Sequence, residues 1–302
     1  MKCPLCESKQ TELVKTASGQ SPSHPVFGVG NLECRECGFV FSDFIHPQVI
    51  EYFYNYFCRR DASNSEIDQL RKNAKACGNS QLRMIHPFLP ERLGRVLDFG
   101  GGHGENARLF LPFSDEVYIV EQDPVCIEHI KQEPRLQLIT SDELASEEYV
   151  GFFDLVILSN VLEHMAFPVR QMQFFSRMII KDGLFFVEVP HECAFLKKSA
   201  IQMPQHICFF SPQSLNFLVD RQGSFDVVDL RTCGPSIDDM VSARHILHDF
   251  DNQNNPDGWV IRALLRNGRP KLDVIEMNID MEDCDGILAD LSEYLFRLSE
   301  IQ

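Results

Sequence analysis

The sequence has no long hydrophobic run and comparatively few basic residues. Its 302 residues include 28 Lys and Arg against 44 Asp and Glu, which gives a formal net charge of −16. The longest apolar stretches, such as residues 184–187, fall far short of the roughly 20 residues that span a bilayer. A protein that coats phosphates needs an excess of positive charge, which is missing here. We therefore expect a soluble protein without a membrane or nucleic-acid partner.

The sequence also lacks the signs of a secreted disulfide scaffold. Its 11 cysteines are an odd number, and no apolar signal segment follows Met1. Disulfides persist in oxidising compartments, whereas the reducing cytoplasm keeps thiols free. The sequence therefore predicts a cytoplasmic protein.

Four of the cysteines form two Cys-x-x-Cys pairs, Cys3 with Cys6 and Cys34 with Cys37. Two such pairs in a short segment are typical of a closed structural Zn²⁺ site with four thiolate ligands. A redox dithiol and unpaired thiols in a small core are the alternatives. We interpret residues 1–46 as a zinc-binding module. Acidic residues outnumber basic ones in it, which favours a substrate lid or brace over a phosphate-binding face.

Beyond residue 93, short β-type runs alternate with helical stretches. The runs comprise residues 95–99, 117–121, 136–140, 153–159, 184–189, 225–230 and 259–265. Such alternation predicts an α/β fold of Rossmann-like type, a doubly wound and mostly parallel seven-stranded sheet with helices on both faces. We assign this domain to residues 94–269.

Two helical regions flank the domain. Apolar residues at spacings of three and four predict a helical linker or lid over residues 47–93. The same spacing over residues 270–302 predicts a C-terminal amphipathic helix that packs on the domain or on a second subunit. The sequence is therefore compatible with a homodimer.

The most informative motif follows the first run of the domain. Asp98, Gly100, Gly102 and Gly104 have the spacing Asp-x-Gly-x-Gly-x-Gly, between a predicted strand and a predicted helix. Glycines there let a ligand approach the backbone closely. The dinucleotide fingerprint Gly-x-Gly-x-x-Gly is excluded, because its last position would be Glu105.

This motif resembles the first motif of the class I S-adenosylmethionine-dependent methyltransferases. The resemblance implies S-adenosylmethionine as cofactor and the following cofactor-binding residues: Asp98, Gly100, Gly101, Gly102, Gly104, Glu121, Gln122, Asp142, Ser159 and Asn160. Glu121 would bind the ribose hydroxyls and Asp142 the adenine amine. Ser159 and Asn160 would lie beside the methionine moiety. An acidic residue at the strand end suits a ligand with an ammonium and a sulfonium.

A second resemblance concerns the acceptor. Residues 205–212 are similar to a loop of methyltransferases that act on deoxysugar nucleotides. Sugar C-methyltransferases of that kind also begin with paired zinc cysteines, followed by an aromatic helix like residues 52–57. The resemblance implies a sugar or nucleotide-sugar acceptor and His206 as the base. Here Gln205 stands where they have Glu, so we expect the neighbouring carboxylate to be missing. The sequence also ends near residue 302, whereas those enzymes continue into a large further C-terminal domain. Among O-, N- and C-methylation, we therefore expect carbon methylation to be less favoured than the other two.

Methyl transfer requires an oriented nucleophile and, for a hydroxyl or an acidic carbon, removal of a proton. His206 and His191 are the candidate catalytic bases, and a buried structural histidine is the alternative for each. Tyr52, Tyr54 and Tyr56 are candidates for the acceptor pocket, because sugar and nucleotide rings stack on aromatic side chains. Packing of their helix onto the zinc module is the alternative.

Two further features remain open in the sequence. Glu163 and His164 follow the fourth run, where local hydrogen bonding is the alternative to a chemical role. An acidic protein that receives an anionic nucleotide-sugar also needs local positive charge at the entrance. The candidates for that charge are Arg59, Arg60, Arg71, Lys72, Lys197 and Lys198.

The leading hypothesis is a methyltransferase that modifies a small-molecule acceptor, a sugar or nucleotide-sugar in polysaccharide or natural-product biosynthesis. One alternative is an RNA or protein methyltransferase, and the acidic charge disfavours RNA. A second alternative is a non-catalytic protein that binds S-adenosylmethionine and serves as an interaction platform.

Overall fold

A computed structural model describes residues 2–14, 30–42, 64–165, 167–198, 206–242 and 252–268. Several predictions from the sequence lie outside these residues: Tyr52, Tyr54, Tyr56, Gln205 and the C-terminal helix over residues 270–302. In the described part of the chain, none of the helices has the length and apolar character needed to cross a membrane.

Eleven strands occur in the described residues. They are β1 (Thr11–Leu13), β2 (Asn31–Cys34), β3 (Val40–Ser42), β4 (Leu93–Phe99), β5 (Ser114–Val120), β6 (Leu136–Ile139), β7 (Phe153–Ser159), β8 (Ile179–Pro190), β9 (Cys208–Phe209), β10 (Phe225–Ser236) and β11 (Gly258–Asn267). One sheet has seven strands in the order β10-β11-β8-β7-β4-β5-β6. Strands β8, β7, β4, β5 and β6 are parallel, and β10 and β11 are antiparallel. The predicted doubly wound, mostly parallel sheet is confirmed.

Helices connect these strands and cover the sheet. The α-helices of the described residues are α1 (Asn64–Ile85), α2 (Glu105–Phe110), α3 (Pro124–Ile130), α4 (Ser141–Leu144), α5 (Pro168–Met178), α6 (Glu192–Lys198), α7 (Pro212–Gln222) and α8 (Ile237–Ser242). Three short 3-10 turns accompany them: His86–Phe88, Glu147–Tyr149 and Leu162–His164. Within the predicted helical region 47–93, α1 packs against α2 of the domain. The predicted domain boundaries stay a prediction.

The hydrophobic core lies on both faces of the large sheet. Val96 and Leu97 are neighbours in β4, both with 0% exposure, and they belong to different core clusters. Successive side chains of a strand point to opposite faces, so both faces must be covered. Phe175 of α5 belongs to one cluster, and Phe110 of α2 belongs to the other. The parallel strands therefore have continuous apolar sequences, because both faces of the sheet are buried.

A second sheet joins the N-terminal segment to the domain. Its strand order is β1-β2-β3-β9, and Phe41 of β3 is opposite Cys208 of β9. The Ser42 N–H donates to the Ile207 carbonyl at 2.9 Å. The ring centroids of Phe39 and Phe210 are 5.2 Å apart. The N-terminal segment is thus hydrogen-bonded to β9 and to Ile207, the residue that follows His206.

Candidate active site

The glycine loop connects the end of β4 to the start of α2. Gly100, Gly102 and Gly104 have φ angles of 70°, 54° and 77°. These values lie in the left-handed region, which residues other than glycine rarely adopt. A Cβ atom at Gly102 would meet nothing within 4 Å. The loop therefore presents bare backbone to open space at the carboxyl edge of the sheet, where α/β folds bind their ligands.

Asp98 lies at the end of β4 beneath this loop. Its side chain is 1% exposed, and its Oδ2 atom has no hydrogen-bond partner among the described residues. Burial raises the pKa of Asp98 to about 7. Buried polar atoms in folded proteins are normally paired, so this oxygen is suited to a cationic or hydrogen-bond-donating ligand.

Glu121 follows β5 and holds two loops together. Its Oε2 accepts a hydrogen bond from the Gly102 N–H at 2.7 Å. Its Oε1 accepts from the N–H groups of Gln122 and Asp123 at 2.7 and 2.9 Å. Burial raises the pKa of Glu121, although these donors act in the opposite direction. Within the described residues Oε2 accepts only the bond from the Gly102 N–H, so it has a further lone pair that can accept from a hydroxyl.

Gln122 and Asp142 are two further predicted cofactor-binding residues at this edge. The Oε1 atom of Gln122 is buried and has no hydrogen-bond partner within the described ranges. Asp142 is exposed in the first turn of α4, directly after β6. Both residues follow parallel strands at the same edge as Asp98.

Ser159 is the last residue of β7 and Asn160 follows it, and both contact a buried polar network. The Gln81 side-chain N–H donates to Ser159 Oγ at 2.7 Å and to Glu188 Oε1 at 2.9 Å. The Asn160 side-chain N–H also donates to Glu188 Oε1, at 3.2 Å. Asn160 has a φ angle of 55°. The network thereby holds the end of β7 in a left-handed backbone conformation that favours Gly or Asn.

An ion pair lies at the centre of this network. Arg262 Nε is 2.6 Å from Glu188 Oε2, and both side chains have 0% exposure. Arg262 also donates to Ser80 Oγ at 2.8 Å, which links β11 to α1. We call Ser80, Gln81, Glu188 and Arg262 the Glu188 network. Sequence reasoning missed all four residues. Glu188 and Arg262 could have been found, because each is a charged residue within an apolar strand run.

His206 precedes β9 and has a carboxylate partner. Its Nδ1 is 2.6 Å from Glu192 Oε2 in α6. Burial by itself lowers the pKa of His206, but the Glu192 and Glu163 carboxylates outweigh burial and raise it. The expectation that the neighbouring carboxylate is missing was therefore wrong. The chain supplies it from Glu192, 14 residues earlier, because α6 folds back beside β9.

Glu163 and His164 lie next to His206. Nε2 of His206 and Nε2 of His164 are each 4.0 Å from Oε1 of Glu163. The two histidine ring centroids are 4.8 Å apart. Burial raises the pKa of Glu163 to about 8. The Ile207 N–H donates to the Glu163 carbonyl at 3.0 Å, which fixes the segment before β9 against the turn after β7.

His191 directly follows β8. Its contacts are with β11 and not with Glu163, His164 or His206. Its backbone N–H donates to the Trp259 carbonyl at 2.6 Å. Its Nδ1 is 3.2 Å from the Gly258 carbonyl oxygen. Burial lowers the pKa of His191, so the neutral ring is favoured.

The four predicted zinc ligands come together as one cluster. Cys3 Sγ is 3.6 Å from Cys37 Sγ, and Cys6 Sγ is 3.4 Å from Cys34 Sγ. All four sulfur atoms lie within 4.8 Å of one another. Ligands of a tetrahedral ion with Zn–S bonds of about 2.3 Å are about 3.8 Å apart, so the geometry fits. We call these four residues the Cys cluster.

Three of the candidate positive residues at the entrance form ion pairs with acidic side chains, and Lys72 is exposed in α1. Arg71 Nε is 2.7 Å from Glu105 Oε1. Two lysines of α6 form further pairs: Lys197 with Glu33 at 2.8 Å and Lys198 with Asp238 at 2.6 Å. Acidic residues of this chain therefore compensate the charge of Arg71, Lys197 and Lys198. Arg59 and Arg60 lie outside the described residues.

The chain is similar to a known family of domains and to solved structures. The sequence model described as "Methyltransferase domain" matches residues 70–230, more than half of the chain. A Thermotoga maritima S-adenosylmethionine-dependent methyltransferase has 16% identity and a TM-score of 0.50, over 72% of this chain and 99% of that chain. A complex of a methyltransferase with its activator from Haloferax volcanii has 12% identity and a TM-score of 0.51, over 67% of this chain and 96% of that chain.

These structural likenesses support the fold alone. No curated protein matches the sequence. The family match rests on the segment that contains the glycine loop, Asp98 and Glu121. The chain therefore belongs to the methyltransferase domain family and is an S-adenosylmethionine-dependent methyltransferase.

Proposed function

We propose that this enzyme methylates a sugar or nucleotide-sugar. One observation carries the proposal: the Cys cluster segment, β9 and His206 form a single unit, in which Glu192 supplies the carboxylate partner of His206. The paired cysteines and the His206 loop are the two features that resemble sugar methyltransferases. The net charge of −16 also favours a small acceptor over RNA.

We propose that the cofactor lies against the glycine loop. Asp98 would face its cationic methionine end, and Glu121 would accept from the ribose hydroxyls. Ser159 and Asn160 would flank the methionine moiety, and Asp142 would accept from the adenine amine. The unpartnered Asp98 oxygen and the open space at Gly102 support this placement. S-adenosylmethionine supplies a methyl group bonded to a positively charged sulfur.

Cofactor affinity is expected to depend on pH through Asp98. Its pKa of about 7 means that much of it is protonated below neutrality in the free enzyme. A cationic ligand favours the ionised form, so binding at low pH must release a proton. Affinity should rise about tenfold between about pH 6 and about pH 8. Isothermal titration over this range measures the change.

The matched control is Asp98→Asn, which has nearly the same shape but does not ionise. This variant should bind S-adenosylmethionine more weakly than the wild type at high pH. Any pH dependence that it still shows belongs to the ligand and not to residue 98. Equal pH dependence in the two proteins would contradict the role of Asp98.

His206 and His191 are the proposed catalytic residues. Methylation of a hydroxyl forms a C–O bond as the C–S bond breaks, and it releases the hydroxyl proton. With the Nδ1–H of His206 donating to Glu192, Nε2 keeps the lone pair. This is the atom that would act on the acceptor side. His191 would line the same edge of the sheet from β8.

We further propose that the Cys cluster binds Zn²⁺ and acts as a brace. Cys3 and Cys34 are each 1% exposed and belong to the core cluster that also contains Ile207 and Cys208. Four thiolates close the coordination sphere, so the ion would support structure. The brace would hold β3 against β9 and so position His206.

Loss of the zinc ligand Cys37 is expected to destabilise the protein. The variant Cys37→Ser should lose bound zinc and melt roughly 5–10 °C lower, because about 2–3 kcal/mol corresponds to this shift in a chain of this size. Elemental analysis and thermal melting give the two readouts. Cys126→Ser is the control, since Cys126 lies outside the cluster in α3. Full zinc content in Cys37→Ser would refute the assignment.

The acceptor class can be tested with methyl-labelled S-adenosylmethionine. A panel of nucleotide-sugars, cellular RNA and protein extract is offered to the zinc-loaded enzyme. We expect the label in the nucleotide-sugar fraction. Label confined to RNA or to protein would show that the acceptor proposal is wrong.

A further inference from the structure

Three further side chains with metal-ligand atoms form a second group, separate from the Cys cluster. Glu163, His164 and His206 each offer one ligand atom, and these atoms lie within 4.8 Å of one another. The two Nε2–Oε1 separations of 4.0 Å are too long for hydrogen bonds. Two atoms that bind one ion at about 2.1 Å are at most about 4.2 Å apart. Both separations lie within that limit. We call these three residues the histidine cluster.

Glu163 is the member whose environment most clearly requires a ligand. Its side chain is 1% exposed, and neither carboxylate oxygen has a hydrogen-bond partner among the described residues. A buried carboxyl group without partners costs several kcal/mol, so folded proteins pair it or bind a metal to it. An ion between Glu163 and the two rings would satisfy the carboxylate.

His206 has the arrangement that is common for a metal-binding histidine. Such residues usually donate their other ring N–H to a carboxylate, which fixes the tautomer and increases ligand basicity. Glu192 accepts from Nδ1 of His206 at 2.6 Å, so Nε2 faces Glu163. Sequence positions 163, 164, 192 and 206 thus supply both the ligands and the supporting carboxylate.

The histidine cluster lies close to the glycine loop. Gly100 of the glycine loop packs directly against Val161, since a Cβ atom added at Gly100 would lie only 2.7 Å from Val161 Cγ2. Val161 is two residues before Glu163 in the chain. The side chain of His164 is 29% exposed, whereas that of Glu163 is 1% exposed. The cluster is therefore deep on the Glu163 side and accessible on the His164 side.

We propose that Glu163, His164 and His206 bind a divalent transition-metal cation with open positions for a hydroxyl of the acceptor. Two imidazole nitrogens and one carboxylate suit Mn²⁺, Fe²⁺, Co²⁺ or Zn²⁺ and leave coordination positions free. The cation acidifies the coordinated hydroxyl, whose proton passes to solvent water. His206 then acts as a metal ligand. This inference rests on the proposed function, because it concerns how that acceptor is activated.

Binding of Mn²⁺ to the zinc-loaded full chain tests the proposal. Mn²⁺ prefers nitrogen and oxygen ligands over thiolates, so it does not report on the Cys cluster. Electron paramagnetic resonance should show one bound Mn²⁺ per chain with coupling to histidine nitrogen. Glu163→Gln and His164→Ala should each weaken binding at least about 100-fold, since changes to supporting residues alone cost up to about that factor. Glu128→Gln, an exposed acid in α3, should bind Mn²⁺ like the wild type.

The outcomes separate this proposal from the acceptor proposal. Absence of Mn²⁺ binding, or equal binding in folded Glu163→Gln, overturns the cation site and indicates a proton or water in its place. A second test removes bound transition metal from the histidine cluster and then measures sugar methylation with and without added Mn²⁺. Equal rates also overturn the cation site, while the acceptor proposal stands. Mn²⁺ bound through Glu163 without sugar methylation supports the cation site and counts against the acceptor.

Discussion

Replacing Arg262 with Met is expected to lower the free energy of unfolding by about 3–5 kcal/mol. The Arg262 and Glu188 side chains are both fully buried and are joined at 2.6 Å. Removal of the cation leaves the Glu188 carboxylate in a low-dielectric interior without its partner charge. The effect arises mainly from that uncompensated group, because a methionine of similar length fills most of the space. Urea denaturation monitored by circular dichroism measures it.

The double variant Glu188→Gln with Arg262→Met is the informative control. The introduced glutamine is neutral, and its side-chain oxygen can still accept from Gln81 and Asn160, so at least half of the lost stability should return. Arg266→Met is a matched single control, because Arg266 is less buried and donates to the Asp182 carbonyl. A double variant that is less stable than Arg262→Met would contradict the proposed origin of the effect.

Replacing His206 with Ala is expected to lower the rate of methyl transfer by about 10²–10⁴-fold. The substitution removes the Nε2 lone pair that faces Glu163, whether the acceptor is reached directly or through a bound cation. The cofactor residues Asp98 and Glu121 are untouched, so the affinity for S-adenosylmethionine should stay within about twofold. Single-turnover kinetics and isothermal titration give the two quantities. A rate within about threefold of the wild type would remove His206 from catalysis.

Two further variants separate catalysis from folding. Glu192→Gln keeps a hydrogen-bond acceptor beside Nδ1 but removes the charge, and we expect an intermediate loss of about 10–100-fold. His86→Ala, an exposed histidine in the 3-10 turn after α1, should have the wild-type rate. If thermal melting shows that His206→Ala is unfolded at the assay temperature, Glu192→Gln decides the question.

The sheet and the glycine loop were predictable because their signals are local. Apolar runs separated by helical stretches predict buried parallel strands, and all seven predicted runs lie within or overlap strands of the structure. The strand ends were less predictable. The run 225–230 continues to Ser236 in β10, because pairing with β11 extends it through Thr232 and Cys233. Tertiary pairing of this kind leaves only a weak trace in local periodicity.

The partners of the candidate site residues could not be read from the sequence in the same way. Glu188 and Arg262 are 74 positions apart and meet because β11 is antiparallel to β8. Glu192 reaches His206 only after α6 turns back towards β9. The four cysteines could be predicted from the sequence as one ligand set, since two Cys-x-x-Cys motifs in a short segment identify it. Pairings between single residues depend on strand order, which the sequence does not display.

A crystal structure with S-adenosylhomocysteine tests the central claim most directly. The claim is that methyl transfer takes place at the carboxyl edge of the sheet, between the glycine loop and the histidine cluster. We predict that the ribose hydroxyls bond to Glu121 and that the sulfur faces Glu163, His164 and His206 across a space the size of an acceptor. A sulfur that faces another side of the domain, or a space filled by packed side chains, would contradict the claim.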